Sequence, residues 1–349
     1  MLLVKLTTYS FKEFALNFEM RKSVEAILRE QAKEGIFPTY RARKGEVIVE
    51  LPETRVDNIG IHTFVLEKLA ELYPQNQDVR DAFSKGLDFL LQDSVILSDS
   101  RLVWRWLKHP LKEDWLYPAD ADDTARARIV IELAKTNGFQ IPQEFQDFDY
   151  SKFVNEGMTP LGGRLTFIDF KPDDSLCPVV NMNLLHALKS ALSAKGEDIN
   201  QNKAYRKIRD YIGCTVNTKE FQSDDFARCS KFYLSPNLFA YLISEVKDTF
   251  DESTLKKVRD RIQKDNKEYS NTLEAAWGTS TLINLGGNKE VIEKGVGQIR
   301  ESIQANSLWA PEPFFQHQRS RSVFGSSSGT SVFCLEALAK YEGKFPKPG

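Results

Sequence analysis

Cysteine is scarce in this chain, and neither a charge of one sign nor a long apolar run is present. The four cysteines, Cys177, Cys214, Cys229 and Cys334, are scattered over 349 residues with no Cys-x-x-Cys pair. Such spacing supports neither a disulfide framework nor a structural zinc site, and a reducing cytoplasm is the expected location. Acidic and basic residues nearly cancel, at a formal net charge of −2, and no stripe of lysine and arginine dominates one segment. The electrostatic footprint of a nucleic-acid binder is therefore missing, and no nucleic-acid partner is expected. No window approaches the roughly 20 apolar residues of a spanning helix, so an integral membrane protein is not expected. The opening MLLVKLTTYSFKEF lacks the uninterrupted apolar stretch and small-residue cleavage site of a signal peptide. No Pro/Gly/Ser-rich linker divides the chain, and no long alternation of apolar and polar residues predicts a sheet.

What the chain does contain is aromatic and periodic. Its 23 phenylalanines and 11 tyrosines call for a large core, a lined pocket, or both. Six apolar segments recur, each followed by glycine or a polar turn: DNIGIHTFVLEKLAEL, DDTARARIVIELAKTNG, VVNMNLLHALKSAL, PNLFAYLISEV, NTLEAAWGTSTLINLGG and GTSVFCLEALAKYEG. Their starts lie mostly 50 to 65 residues apart, with one shorter step before the fifth. Upstream of each stands a more amphipathic partner, in order FKEFALNFEMRKSVEAILREQAK, DVRDAFSKGLDFLLQ, the short DYSKFVNEG, NKAYRKIRDYIG, STLKKVRDRIQKD and KEVIEKGVGQIRESIQ. Apolar residues at i, i+3, i+4 and i+7 mark the partners as helices with one wet face, whereas the recurring segments are apolar on most sides. A regular repeat of this kind is the mark of stacked helical units. Twelve helices alternating outer and inner predict an all-α (α/α)6 toroid, with residues 1–349 forming one domain.

Three connections are long and rich in aromatics: WRWLKHPLKEDWLYPADA, LGGRLTFIDFKPDDSL and LWAPEPFFQHQRSRSVFGSSSG. All three run into the start of an inner helix, which places them on one rim, where long loops usually build the site. At that rim Asp120, Asp122 and Asp123 crowd the start of the second inner helix. One aspartate there serves as an N-cap, favoured by the helix dipole. Capping needs only one carboxylate, so two further, mutually repelling ones ask for another purpose.

Preceded by Trp115 and Tyr117-Pro118, the string Asp120-Ala121-Asp122-Asp123-Thr124-Ala125 resembles the Asp-x-Asp-Asp-Thr-Ala motif of class II terpene cyclases. This is the squalene–hopene cyclase and copalyl diphosphate synthase superfamily, here in a drimenyl diphosphate synthase-like, single-ring form. Gln31–Tyr40 and Gln304–Trp309 look like worn copies of that family's Gln–Trp repeat. The family's toroids agree with the periodicity. By resemblance Asp122 is the general acid that protonates a terminal alkene, with Asp120 and Asp123 raising the proton affinity of the site. Crowding and desolvation are the physical means of keeping a carboxyl group protonated near neutrality. The family also places a His or Asn opposite the acid; Asn183 falls nearest that place, with Asn181 and His186 as substitutes. His186 reads more readily as a satisfied core histidine.

The resemblance further implies aromatic faces that stabilise a passing carbocation. Candidates named on that ground are Trp104, Trp106, Trp115, Tyr117, Phe167, Phe170, Phe232, Tyr233, Trp277, Trp309, Phe314, Phe315 and Phe324, Trp277 first among them. Neither an Asp-Asp-x-x-Asp run nor an Asn/Ser/Glu magnesium triad is present, so chemistry that ionises a diphosphate is not expected. A retained diphosphate would be gripped by Arg164, Arg228, Lys231, Arg319 and Arg321, of which the last two stand in HQRSRS. No organic cofactor or resident metal is expected; Mg2+ could accompany the diphosphate. A single ring implies a short substrate, so farnesyl diphosphate giving a drimane-type diphosphate is favoured. Geranylgeranyl diphosphate giving a labdane-type skeleton stays open, as do a protein-prenyltransferase-like toroid, a carbohydrate-active (α/α)6 enzyme and a non-catalytic binding ring.

Overall fold

The computed structural model describes residues 18–97, 102–105, 119–146, 148–166, 176–223, 225–233, 235–264, 269–317 and 322–345. Six helix pairs follow one another along them. Helix α1 (Phe18–Glu30) precedes α2 (Ile59–Leu72), and α3 (Gln77–Gln92) precedes α4 (Ala121–Thr136). A single turn, α5 (Gln143–Gln146), leads to α6 (Tyr150–Glu156) and α7 (Pro178–Ala194). Then come α8 (Lys203–Val216), the single turn α9 (Lys219–Gln222) and α10 (Pro236–Glu245). Helices α11 (Glu252–Lys264), α12 (Thr272–Leu285), α13 (Lys289–Glu301) and α14 (Ser327–Lys344) complete the order.

Packing closes the second members of these pairs into a ring. Helix α2 touches α4, α4 touches α7, α7 touches α10, α10 touches α12, α12 touches α14, and α14 returns to α2. The first members lie outside: α1 against α14, α3 against α2 and α4, α6 and α8 against α7, α11 against α10 and α12, α13 against α12 and α14. Burial follows the division. Helix α2 is buried continuously from Ile59 to Ala70, while α8 buries only the stripe Ala204, Tyr205, Ile208, Ile212, Thr215 and Val216. An amphipathic stripe suits a helix with solvent on one side, and an all-round apolar sequence suits one enclosed between two layers.

The inner helices begin sharply, which aligns the rim. Asn58, Asp120, Ser235, Asn271 and Ser326 each accept a backbone N–H from their helix with the side chain, capping α2, α4, α10, α12 and α14. Each such cap contributes about 0.5–2 kcal/mol. Helix α7 begins instead on Pro178, whose missing N–H costs nothing in the first turn.

Strands are present where the sequence predicts none. Strand β1 (Thr39–Arg43) pairs with β2 (Arg55–Val56) and with β7 (Ser322–Ser326), and β7 pairs with β6 (Glu312–His317). A second antiparallel group joins β3 (Val95–Ile96), β4 (Leu102–Arg105) and β5 (Ala119–Asp120). With two to six residues each, these strands are too short to show a period of two against a helical background. They stiffen the connections into α2, α4 and α14. Among the described residues, no helix is long and apolar enough to cross a membrane.

Candidate active site

Asp120, Asp122 and Asp123 are all buried at the start of α4. Several bonds hold this segment. Asp120 pairs with Trp104 across β5 and β4, Thr124 donates to the Asp120 carbonyl at 2.6 Å, and Ala121 N–H donates to the Thr166 carbonyl at 2.7 Å. Asp120 is the cap, its Oδ1 accepting from Asp123 N–H at 2.8 Å. A side chain at position 60 would meet Asp123 Oδ1 at 3.1 Å, so Gly60 on α2 leaves room for that carboxyl group.

Asp122 has a clamp of its own. Asn183 on α7 donates from Nδ2 to Asp122 Oδ1 at 2.7 Å, and the Tyr233 hydroxyl donates to Oδ2. Burial raises the proton affinity of Asp122; the bonds from Tyr233 and Asn183, and the charge of Arg126 one turn deeper, act against it. Asp120 is pushed up to about 7, first by burial and then by the charge on Asp122. Asp123 is pushed well above the usual carboxylate range by burial and by both neighbouring aspartates. The three titrate as one unit that retains protons near neutrality.

One turn deeper the ring interior is aromatic. Phe64 (α2), Trp277 (α12), Phe314 (β6) and Phe333 (α14) interlock, with Trp277–Phe314 and Trp277–Phe333 centroids 5.4 and 5.7 Å apart. Tyr241 on α10 meets Phe333 edge-on at 5.4 Å. The Arg126 guanidinium lies 3.5 Å from the Phe64 ring centre and pairs with buried Glu67. Near the far end of the inner helices, Lys68 binds Glu67, Glu71, Glu245 and Glu336, and Lys340 binds Glu245 and Glu336.

Several residues singled out in the sequence stand elsewhere. Arg164 is not presented to the site: its guanidinium lies 4.4 Å from the Phe153 ring centre and bonds to the carbonyls of Phe153 and Leu165. Asn181 brackets the Arg164 backbone at 2.7 and 3.1 Å and so is not the partner of the acid. Trp309 is buried against the outer layer, its indole donating to the Ile299 carbonyl of α13 at 2.7 Å. Arg228 is exposed and paired with Asp225. His186, half-buried one turn below Asn183, is held down to about 4 by burial and lies within electrostatic reach of Glu67 and Arg126. Lys231 and Phe232 are half-buried on the segment leading to Tyr233. Trp106, Trp115, Tyr117, Phe167, Phe170, Arg319 and Arg321 lie outside the described residues.

Sequence reasoning placed Tyr233 among substrate contacts, whereas its hydroxyl holds Asp122, 111 residues away. It also passed over Phe64, Tyr241, Phe333, Arg126 and Glu274. A signal existed for Glu274: it sits one turn before Trp277 at an inner-helix start. Among the described residues, the three carboxylates that converge closely enough for a single cation are Glu71, Glu245 and Glu336. Lys68 and Lys340 already supply the positive charge there, so the cluster does not fit a magnesium site.

No known family matches the sequence, and no curated protein does. Solved structures do. The type II terpene cyclase MstE from Scytonema superposes over 94% of this chain and 98% of its own, with a TM-score of 0.65 at 13% identity. The fold is an (α/α)6 toroid. The same neighbour has been solved, as a variant, with its substrate geranylgeranyl dihydroxybenzoate. An ent-copalyl diphosphate synthase from Streptomyces platensis matches over 81% of this chain and 50% of its own, with a TM-score of 0.56 at 14% identity. An α-1,6-mannanase of a Salegentibacter species matches as well, over 92% of this chain and 98% of its own, with a TM-score of 0.60 at 11% identity. That structure is an inactive variant with two adjacent aspartates replaced, bound to α-1,6-mannotriose. Terpene cyclases and glycan-cleaving enzymes share this ring, so the choice between chemistries falls to the side chains.

Proposed function

We propose that this protein is a class II terpene cyclase in which Asp122 protonates the terminal double bond of a linear isoprenoid diphosphate. The observation that carries the reading is the clamp on Asp122, a buried carboxyl group with Asn183 on one oxygen and Tyr233 on the other. An alkene is a very weak base, so its acid must arrive protonated, and burial among two further aspartates supplies that condition. The acid must also release its proton. Asn183, Tyr233 and Arg126 favour the carboxylate that appears as the proton leaves, so they strengthen the acid where charge develops. Proton transfer from Asp122 forms a C–H bond and leaves a tertiary cation, which the next double bonds attack in turn. Desolvated aromatic faces stabilise such a cation by up to about 2 kcal/mol each, and Trp277 and Phe314 belong to the aromatic group beneath the acid.

Farnesyl diphosphate, cyclised to a drimane-type diphosphate with its C–O bond intact, is the proposed reaction; geranylgeranyl diphosphate is the longer alternative. Arg164 and Arg228 are engaged elsewhere, so gripping the diphosphate falls to Lys231, Arg319 and Arg321. Incubation with each diphosphate, phosphatase treatment and gas-chromatographic product identification tests the reading. Asp122→Asn should lower conversion roughly 10²–10⁴-fold with the helical circular dichroism unchanged. A fully active variant would sink the reading.

One observation favours a second reading. Asp122 and Asp123 are adjacent, as are the two aspartates replaced in the inactive mannanase. A glycosidase sets one carboxyl group on each side of the scissile bond, whereas here Asp122 is clamped by Asn183 and Tyr233, and the Asp123 carboxyl group bonds to that of Asp120. Hydrolysis of α-mannosides by the wild-type protein would favour the glycosidase.

A further inference from the structure

The ring order places a second carboxyl group directly across from the acid. Going round the inner helices, α4 and α12 are three steps apart in a ring of six, hence diametrically opposed. With neighbouring axes about 8–10 Å apart, opposite axes lie roughly 16–20 Å apart. Asp122 stands in the first turn of α4 and Glu274 in the first turn of α12. Both therefore sit on the same rim.

Glu274 is held as deliberately as Asp122. Ser235 Oγ and Asn237 Nδ2 both donate to its Oε2, each at 2.7 Å. Ser235 is fixed in turn by accepting Leu238 N–H at 3.1 Å. These donors belong to the segment whose Tyr233 hydroxyl reaches Asp122, so one stretch of five residues holds both carboxyl groups. The surroundings differ. Both receive two neutral donors, but Asp122 lies between two other aspartates, whereas the carboxyl group within electrostatic reach of Glu274 is Glu312, which burial and the charge on Glu274 push up to about 7. Asn237 is 8% exposed, and its buried Oδ1 has no hydrogen-bond partner among the described residues, which leaves one acceptor beside Glu274 unused. Trp277 follows Glu274 by one turn on the same helix face, which places the carboxylate beside the aromatic interior.

We infer that Glu274 is the proton acceptor that ends the cyclisation, rooted opposite the acid so that a polyene folded across the ring starts at Asp122 and finishes at Glu274. The inference rests on the cyclase reading. The atoms balance as an isomerisation. The Asp122 O–H bond breaks as a C–H bond forms at one end of the polyene. At the other end a C–H bond beside the last cation breaks, its proton goes to Glu274, and its electron pair becomes the new double bond. Solvent exchange then resets both carboxyl groups. Burial raises the proton affinity of Glu274 and its two donors lower it, so it is a somewhat stronger base than an exposed carboxylate.

The test is product analysis of wild type, Glu274→Gln, Glu274→Asp and Asp122→Asn with farnesyl and geranylgeranyl diphosphate. Glutamine keeps an acceptor oxygen for Ser235 and Asn237 but takes up no proton. Substrate consumption should survive in Glu274→Gln, with the ratio of alkene to water-captured alcohol falling at least about tenfold. Glu274→Asp should recover part of the alkene, with the double bond redistributed, and it serves as the test should the glutamine variant not fold. An unchanged alkene ratio in both variants, or loss of consumption in a folded Glu274→Gln, would overturn the inference while leaving the cyclase reading standing. A wild type that consumes neither substrate would overturn both.

Discussion

Two regions inside the ring bury several carboxyl groups, and they treat them in opposite ways. At the rim, Asp120, Asp122 and Asp123 crowd together with Arg126 as a more distant cation, and burial raises the proton affinity of each. Near the far end, Lys68, Lys340 and Arg126 bind Glu67, Glu245 and Glu336 directly. There Glu67 is held down to about 2 by Arg126 and Lys68 against the cost of burial, and Glu245 is lowered by Lys340 and Lys68. Glu71, which shares Lys68 with three other carboxylates, is the exception at about 7. Glu67, 2% exposed, is as dry as the three aspartates, so burial alone does not decide whether a carboxyl group is an acid or part of an ion pair. What decides is whether a bound cation outweighs burial and the neighbouring carboxylates, as it does at Glu67 and does not at Glu71.

Removing that cation is the strongest way to break the contrast. Lys68→Met should leave the carboxylates of the far end uncompensated and lower stability by about 3–5 kcal/mol, read by urea unfolding, while a variant as stable as wild type would contradict this account of the network. The rim responds to pH rather than to partner loss. Asp120 rises from an ordinary 3.8 to about 7 on folding, so the folded state holds the extra proton. Stability from this group is present in acid and falls as pH rises between about 4 and 7. At roughly 1.4 kcal/mol per unit, Asp120→Asn, which still caps the helix, should recover about 2–4 kcal/mol at pH 8 and little at pH 4. Buried His62 and half-buried His186, both held down to about 4, contribute the opposite slope in either protein and cancel from the difference.

A smaller effect sharpens the picture of the clamp. Tyr233 favours the ionised form of Asp122, so Tyr233→Phe should raise the acid's pKa and move the alkaline limb of the pH–rate profile upward by about one unit. A hydrogen bond to a charged group contributes about 1.5–3 kcal/mol. An unmoved limb would mean that the hydroxyl merely packs there. Smallest of all, Arg228→Ala should change stability by less than about 0.5 kcal/mol and leave the Michaelis constant unchanged, because its partner Asp225 is a surface group.

The sequence was most legible where periodicity speaks. Among the described residues, each of the six inner segments and six outer partners contains a helix, including the short DYSKFVNEG, which holds α6. The aspartates were legible as more than a cap because three carboxyl groups exceed what capping requires. Side-chain direction in the connections was not. Arg164 and Trp309 belong to residue types that bind phosphate and cations, yet Arg164 directs Nε and Nη1 to the carbonyls of Phe153 and Leu165, and Trp309 donates its indole N–H to the Ile299 carbonyl. Tyr233 was found, but its bond to Asp122 was not, because a separation of 111 residues carries no local signal.

By itself, then, the amino-acid order determined the helices, their alternation, and an acidic helix start on one rim, since 3.6-residue periodicity and capping act over a few residues. Tertiary structure decided which carboxyl groups meet lysine and which meet only each other, and which helix stands opposite the acid. Those outcomes depend on distances of a few ångströms between α2, α4, α10, α12 and α14, set by closure of the ring and written in no single segment of the chain.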